Sequence, residues 1–339
     1  MITSLVTGGA GFIGSHVAEE LLNRKHRVVV LDDLSGGFRD NVPHGARLVE
    51  GSVLDEALVS SLFKEFQFDF VFHLAAYAAE GLSHFIKRFN YSNNLLGSVN
   101  LINAAVNSGR VKCFVFTSSI AVYGRNQTPM SEDLAPIPED PYGIAKYAVE
   151  LDLRESHDMF GLNYVIFRPH NVYGERQNLG DPYRNVIGIF MNKIMQGKPM
   201  TVFGDGMQTR AFSYITDVAP VIAESAHRPD SWNATYNVGA DQPYSVLDLA
   251  KAVAHAMGVA PEIVHLDARQ EVVAAFSSHE HVRKHFGDLI HNIPLEDGLK
   301  RMASWAKKAG IRSATIYRNI EVPKNMPRSW ASLLDKQDT

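Results

Sequence analysis

Tyr142 and Lys146 stand four residues apart in Pro141-Tyr142-Gly143-Ile144-Ala145-Lys146. On a helix that spacing brings both side chains to one face. A phenol is a poor base at neutral pH, since its reference pKa is about 10. A nearby ammonium favours the phenolate and lowers that value. Ser119 follows an apolar stretch, residues 111–118, and can bond the same substrate oxygen. These three side chains suit proton transfer at a hydroxyl. A surface Tyr and Lys that merely fall four apart are common, so the reading leans on a second motif.

That motif is Thr7-Gly8-Gly9-Ala10-Gly11-Phe12-Ile13-Gly14, between a short apolar run and a helical pattern. Gly8, Gly11 and Gly14 fall where a tight turn, a close pyrophosphate approach and close helix packing leave no room for a side chain. The free amides at the helix N-terminus would carry the pyrophosphate. Asp32 ends the next apolar run, eighteen residues after Gly14. A carboxylate there accepts bonds from the adenosine ribose and repels a 2′-phosphate, so NAD is expected rather than NADP. The positive nicotinamide ring would then join Lys146 in favouring the Tyr142 phenolate. A glycine turn without ligand is the weaker reading with strand, helix and acid all in place.

The elements that must position these residues follow from periodicity. Residues 2–7, 27–32, 46–50, 69–74, 111–118 and 163–168 read as strands. Their near-continuous apolar character marks strands buried on both faces of a parallel sheet. Helical spacing separates them at 12–25, 55–66, 87–107 and 141–159. The alternation predicts an α/β protein with a Rossmann-type doubly wound sheet, residues 1–170. From 171 to 310 the pattern loosens, with helices at 185–195, 217–226, 246–257 and 294–309 and short strands at 200–203 and 235–238. This half is expected to be a smaller C-terminal substrate-binding domain, with 205–228 packing back on the first. Residues 311–339 form a tail of no evident role.

Bulk properties narrow the function classes. With 339 residues, 45% apolar and 21% charged, the chain can bury a core of ordinary size. A net charge of −4 gives no electrostatic footprint for nucleic acid or acidic membranes. No apolar run is long enough to span a membrane. The N-terminus lacks the basic segment of a signal peptide. A lone cysteine, Cys113, excludes an internal disulfide and suits a reducing cytoplasm. His279, His281 and His285 lie close in sequence, but no His-Glu metal motif surrounds them. A solvated histidine-rich helix is expected there, rather than a metal enzyme.

Six motifs stand at consistent places along the chain: TGGAGFIG (7–14), the strand-end Asp32, HLAA (73–76), TSSIAVYG (117–124), YGIAK (142–146) and RPHNVYG (168–174). Together they resemble the extended short-chain dehydrogenase/reductase family, in its branch of nucleotide-sugar epimerases and dehydratases. The resemblance runs from about residue 2 to about residue 305. It implies that Tyr142 is base and then acid at the sugar hydroxyl, and that Lys146 holds the nicotinamide ribose. Ser119 would orient or relay the proton. NAD would lie along Gly8, Gly11, Phe12, Ile13, Gly14 and Asp32, with Ser52 and Val53 beside the adenine. Leu74, Ala75, Ala76, Asn93 and Pro169 would complete its bed. Asn171 would face the substrate pyrophosphate, which Arg210 and Arg269 would clamp with paired bonds. Glu271 would touch the nucleotide ribose. Two long helices, 87–107 and 141–159, resemble those through which members pair as homodimers.

The chain also departs from the family's pattern. Ser52 stands where many relatives carry an acid, and Ala78 replaces a cofactor-facing lysine or glutamine. Glu80 is unusual in a loop expected near the sugar, as an extra acid–base group or, more simply, a solvated charge. Dehydratase relatives carry Asp-Glu directly after the serine, whereas Ile120 and Ala121 stand here and have no acid–base capacity. The expected reaction is therefore 4-epimerisation of a nucleotide-activated hexose, a UDP-sugar, through a 4-keto intermediate. Dehydration or C5 or C3,5-epimerisation is the runner-up, and a non-catalytic NAD-binding protein is further behind. Ala275 aligns where a bulky residue limits the sugar pocket of related epimerases, so an N-acetyl group would fit.

Overall fold

The computed structural model describes residues 1–268, 274–312 and 316–335. Arg269 and Glu271 lie outside the described residues. Seven parallel strands make the central sheet: β1 (Thr3–Thr7), β2 (Arg27–Asp32), β3 (Arg47–Glu50), β4 (Phe70–His73), β5 (Cys113–Thr117), β6 (Tyr164–Pro169) and β7 (Ala234–Val238). Their order is β7-β6-β5-β4-β1-β2-β3. The winding reverses between β1 and β4, which opens a crevice beyond their C-terminal ends.

Alternate residues feed two cores. Val6, Val28, Phe72, Val115 and Phe167 face one layer, while Leu5, Val29, Val71, Phe114 and Ile166 face the other. Helices α1 (Phe12–Asn23), α2 (Glu56–Phe66), α5 (Gly97–Ser108) and α6 (Pro141–Phe160) cover the sheet. The side chain of Asp140 caps α6 by accepting the Gly143 amide at 2.9 Å. Pro141 occupies the first turn, where its missing N–H costs nothing.

The expected continuous helix 87–107 is instead α4 (Lys87–Tyr91), a π-helical turn at Ser92–Leu96, and α5. The wider turn lies where Asn94 is buried and bonds both the amide and the carbonyl of Tyr77. A local bulge of this kind exchanges regular bonding for a re-aimed side chain. A short helix, α3 (Glu80–Ser83), precedes it.

The chain beyond β6 is also more interwoven than a simple second domain. β7, read from sequence as a strand of the smaller half, joins the main sheet beside β6, because Tyr236 and Val238 are fully buried there. Helix α8 (Ala219–Glu224) packs on α1, and α10 (Glu280–Phe286) packs on β7. Helices α7 (Val186–Met195), α9 (Val246–Met257) and α11 (Leu295–Ala309) cluster with a strand pair, Met200–Phe203 and Ile263–Leu266, to form the remaining lobe. Helix α12 (Arg328–Asp335) ends the described chain. Among the described residues, no helix is long and apolar enough to cross a membrane.

Candidate active site

At the end of β1, Gly8 takes φ +71°, and a Cβ there would lie 2.7 Å from the Ala75 amide nitrogen. A Cβ on Gly14 would come within 2.1 Å of the Gly8 carbonyl. Both positions therefore require glycine, one for the turn and one for the helix to approach it. Asp32 accepts the Ala10 and Leu34 amides at 2.9 and 2.8 Å. Burial raises its pKa, and those amide bonds oppose the rise. At the end of β4, His73 bonds Thr7 Oγ1 at 2.7 Å and Ser98 Oγ at 2.8 Å. Burial, then the Lys146 charge, push its pKa down to about 3, so a neutral imidazole ties β1, β4 and α5 together.

A single cleft of about 1970 Å³ runs over these strand ends. Gly8, Gly11, Phe12, Ile13, Gly14 and Asp32 line it, as do Ser52 and Val53 after β3. Leu74, Ala75 and Ala76 after β4, Asn93 in the π turn and Pro169 at the end of β6 also line it. So do Ser119, Tyr142, Lys146, Asn171, Arg210 and Glu80. Every singled-out residue that is described thus reaches the same cleft. Thr117 Oγ1, at its floor, is buried without a partner among the described residues. The cradle at Gly8, the Asp32 carboxylate and this orphaned hydroxyl suit a dinucleotide.

Tyr142 and Lys146 lie one turn apart at the start of α6, and both are buried. Lys146 Nζ donates to the Thr117 carbonyl at 2.8 Å and lies 5.8 Å from the Tyr142 ring centroid. Burial pushes its pKa down to about 7, against the pull of Glu150. Ser119 Oγ accepts the Ala121 amide at 3.1 Å, and the Ser119 side chain lowers the proton affinity of the Tyr142 phenol.

The electrostatics of Tyr142 differ from expectation. Lys146 was expected to depress its pKa, yet in the protein alone burial dominates and raises it. The Glu80 charge adds to the rise, and the Ser119 side chain opposes it. Asp140 raises it further and Arg184 lowers it. The physical reason is desolvation of both partners: a lysine that itself sheds its proton readily gives little field to a neighbour. Glu80 is exposed at the cleft, as a solvated charge would be, and its charge is one of the causes that raise the Tyr142 pKa.

Three groups of residues escaped the sequence reading. The first is a buried chain behind Lys146. Ser118 Oγ donates to Glu150 at 2.6 Å, Arg168 Nε donates to Glu150 at 2.9 Å, and Arg168 also donates to the Tyr123 hydroxyl at 2.7 Å. Tyr123 in turn donates to Asn237 at 2.9 Å. Glu150 lies one turn beyond Lys146, and that spacing was the available signal. The second group is Asn90 and Asn94, whose amides link the Tyr77 loop to the Pro141 carbonyl. The third is Asp181 and Arg184, paired at the cleft. Nothing local in the sequence marks that pair.

The histidines also differ from expectation. His279 is 1% exposed and bonds His170 at 3.0 Å and Asp241 at 2.6 Å. His281 and His285 pack on Tyr236 instead of facing solvent, because α10 lies against β7. Among the described residues, no three His, Cys, Asp or Glu side chains are placed to hold a metal ion.

Residues 4–239, more than half of the chain, match the NAD dependent epimerase/dehydratase family. The chain belongs to that family. Like the family, the enzyme is NAD-dependent. A UDP-glucose 4-epimerase of Mycolicibacterium smegmatis is 35% identical over 268 residues, covering 76% of this chain and 84% of the relative. A UDP-N-acetyl-alpha-D-glucosaminuronate decarboxylase of Bacillus cytotoxicus is 31% identical over 323 residues, covering 90% of this chain and 97% of the relative. The crystal structure of Thermotoga maritima UDP-glucose 4-epimerase with UDP-glucose superposes with a TM-score of 0.85 at 33% identity, covering 91% of this chain and 99% of that one. Family membership thus fixes the scaffold and cofactor, and the cleft must distinguish the reaction.

Proposed function

We propose that the enzyme interconverts C4 epimers of a nucleotide-activated hexose, a UDP-sugar, through a transient 4-keto sugar. The observation that carries this reading is Tyr142, buried in the dinucleotide cleft that Ser119 and Lys146 also line, with Ile120 and Ala121 following Ser119 where a 4,6-dehydratase needs acids. Tyr142 takes the C4 hydroxyl proton, Ser119 orients that oxygen, and Tyr142 later returns the proton to it. Lys146 would hold the nicotinamide ribose, and Asn171 and Arg210, which line the cleft, would bind the substrate pyrophosphate. NAD, held in this cleft, would supply reversible hydride transfer at C4. Ala275, buried in the cleft wall beside Arg210, leaves space for an N-acetyl group.

A substrate panel followed by NMR in deuterated water tests the reading. UDP-glucose, UDP-GlcNAc, UDP-glucuronate and GDP- and CDP-hexoses are offered with NAD. Inversion at C4 without solvent deuterium is expected for a UDP-sugar. Deuterium at C5, or loss of the C6 hydroxyl, would overturn it. Those outcomes would instead support the second reading, elimination or C5 epimerisation with Glu80 as acid–base group, which its effect on Tyr142 motivates.

The adenosine end yields a further prediction. Asp32→Asn removes the charge that receives the ribose hydroxyls and excludes a 2′-phosphate. NAD affinity falls ~10–100-fold, the loss of a charged hydrogen bond, while NADP affinity is kept or gained. Calorimetric titration with both cofactors decides, and equal losses for both would refute the role.

The assembly follows from the same helices. The enzyme is proposed to be a homodimer through α5 and α6, where Leu96, Ile144 and Leu151 are 55%, 43% and 44% exposed at or beside these helices. Light scattering at micromolar concentration reads this, and a monomeric mass counts against it. The lone, buried Cys113 suits a cytoplasmic location.

A further inference from the structure

Residues 316–330 return to the body of the molecule and lie along the loop that follows β4. Tyr317 packs on Phe89 and Tyr77, with ring centroids 4.7 and 5.8 Å apart. The Glu321 carboxylate accepts the amides of Arg88 and Phe89 at 2.8 and 3.0 Å. The Glu321 amide donates to the Phe85 carbonyl at 2.8 Å. Backbone bonds to the Phe85 carbonyl, the Glu321 carboxylate and tilted ring contacts thus hold this short segment.

Trp330 anchors its end. This tryptophan is 5% exposed. Its ring meets Tyr183 edge-on at 5.4 Å, and a Cβ on Gly81 would lie 3.0 Å from it. Gly81 adjoins Glu80, and Tyr183 adjoins Arg184. These are two of the charged groups that act on the Tyr142 phenol, with opposite sign. Ser83, in the same short helix as Glu80, accepts the Tyr142 amide at 3.3 Å. Trp330 therefore lies between two segments that flank the reacting phenol. From the same strap, Lys324 and Arg328 are exposed and line the cleft.

We propose that this C-terminal strap forms the wall at the sugar end of the cleft and sets which hexose is accepted. Trp330 is a positioning residue that holds α3 and the Tyr183–Arg184 turn, while Lys324 and Arg328 meet the sugar's hydroxyls. A wall that bonds particular hydroxyls discriminates sharply, because a sugar lacking one leaves a polar group unpaired. The inference rests on the nucleotide-sugar reading above and deepens it.

The test compares the full chain with W330A, W330F, the double variant K324A/R328A, and a chain ending at residue 312. For each, kcat/KM is measured with UDP-glucose and UDP-GlcNAc, together with inhibition by UDP alone. Loss of the strap and W330A are expected to change the ratio of the two kcat/KM values ~tenfold or more. UDP inhibition is expected to stay within about twofold if the strap acts on the sugar alone, and W330F is expected to restore most of the ratio. K324A/R328A alters only exposed side chains, so it decides the matter if the shortened chain fails to fold. An unchanged ratio in that variant and in W330A overturns the proposal, as does a proportional loss of both activities and of UDP inhibition. If the intact chain turns over no nucleotide sugar, the functional reading falls and this one with it. Normal turnover with unaltered discrimination removes this one alone.

Discussion

Tyr142→Phe is expected to lower kcat for C4 inversion by ~10²–10⁴-fold, the range for a positioned acid–base group. The phenol lines the same cleft as Ser119 and lies one helical turn from Lys146. The benzene ring keeps the packing, so NAD and UDP-sugar should still bind with affinities changed by only a few-fold. Single-turnover absorbance at the reduced nicotinamide band reads the first half-reaction directly. A variant that retains more than about a tenth of the activity would remove Tyr142 from its role. Burial and Glu80 raise the phenol's pKa in the protein alone, and the positive nicotinamide ring of bound NAD would oppose that rise. Activity assigned to the NAD form should therefore rise with pH, and Glu80→Gln should move that rise to lower pH.

The second large effect lies behind the site. Glu150 and Arg168 are buried together, 0% and 1% exposed at their side chains. Glu150 also receives Ser118, and Arg168 reaches Tyr123. Arg168→Met leaves the carboxylate buried without its main partner, and such losses cost about 3–5 kcal/mol. Glu150→Gln keeps the shape and one acceptor, so it should cost less. The double variant with apolar residues at both positions should recover part of the loss, since no charge then remains buried. Denaturant unfolding monitored by tryptophan fluorescence measures all three. A loss below about 1 kcal/mol for Arg168→Met would show that the pair contributes little. Glu150 also favours the charged form of Lys146. Its replacement by Gln should lower the lysine's pKa further, and activity should fall at neutral pH more than stability alone explains.

Much of this was legible in the chain itself. The strand β1, the glycine turn and the start of α1 are contiguous in sequence, so a local pattern contains the whole cradle. Tyr142 and Lys146 are likewise local, since helical spacing alone places them on one face. Asp32 is readable because strand length and helix length fix how far the second strand end lies from the first turn. The near-continuous apolar runs identified β1, β2, β4, β5 and β6, because burial on both faces leaves a distinctive composition, whereas the edge strand β3 is exposed at Arg47 and Glu50.

Other features have no local signature. The charged groups that set the proton affinity of Tyr142 come from α3, from Asp140 and from Arg184, three separate stretches. A sequence window sees each as an ordinary surface charge, and only the fold decides their distances. The same holds for β7, whose five residues look like a strand of either half until Tyr236 is seated against Phe167. It holds as well for residues 316–330, whose sparse aromatics show no period and acquire meaning only against Phe85, Phe89 and Tyr183.

The sequence by itself determined the sheet, the dinucleotide cradle and the shared helical face of Tyr142 and Lys146, because each rests on periodicity or spacing within a short segment. Tertiary structure alone decided the sign of the field at Tyr142, the Glu150–Arg168 support and the wall at the sugar end. Those depend on distances between distant segments, and both Coulomb interactions and desolvation are set by such distances.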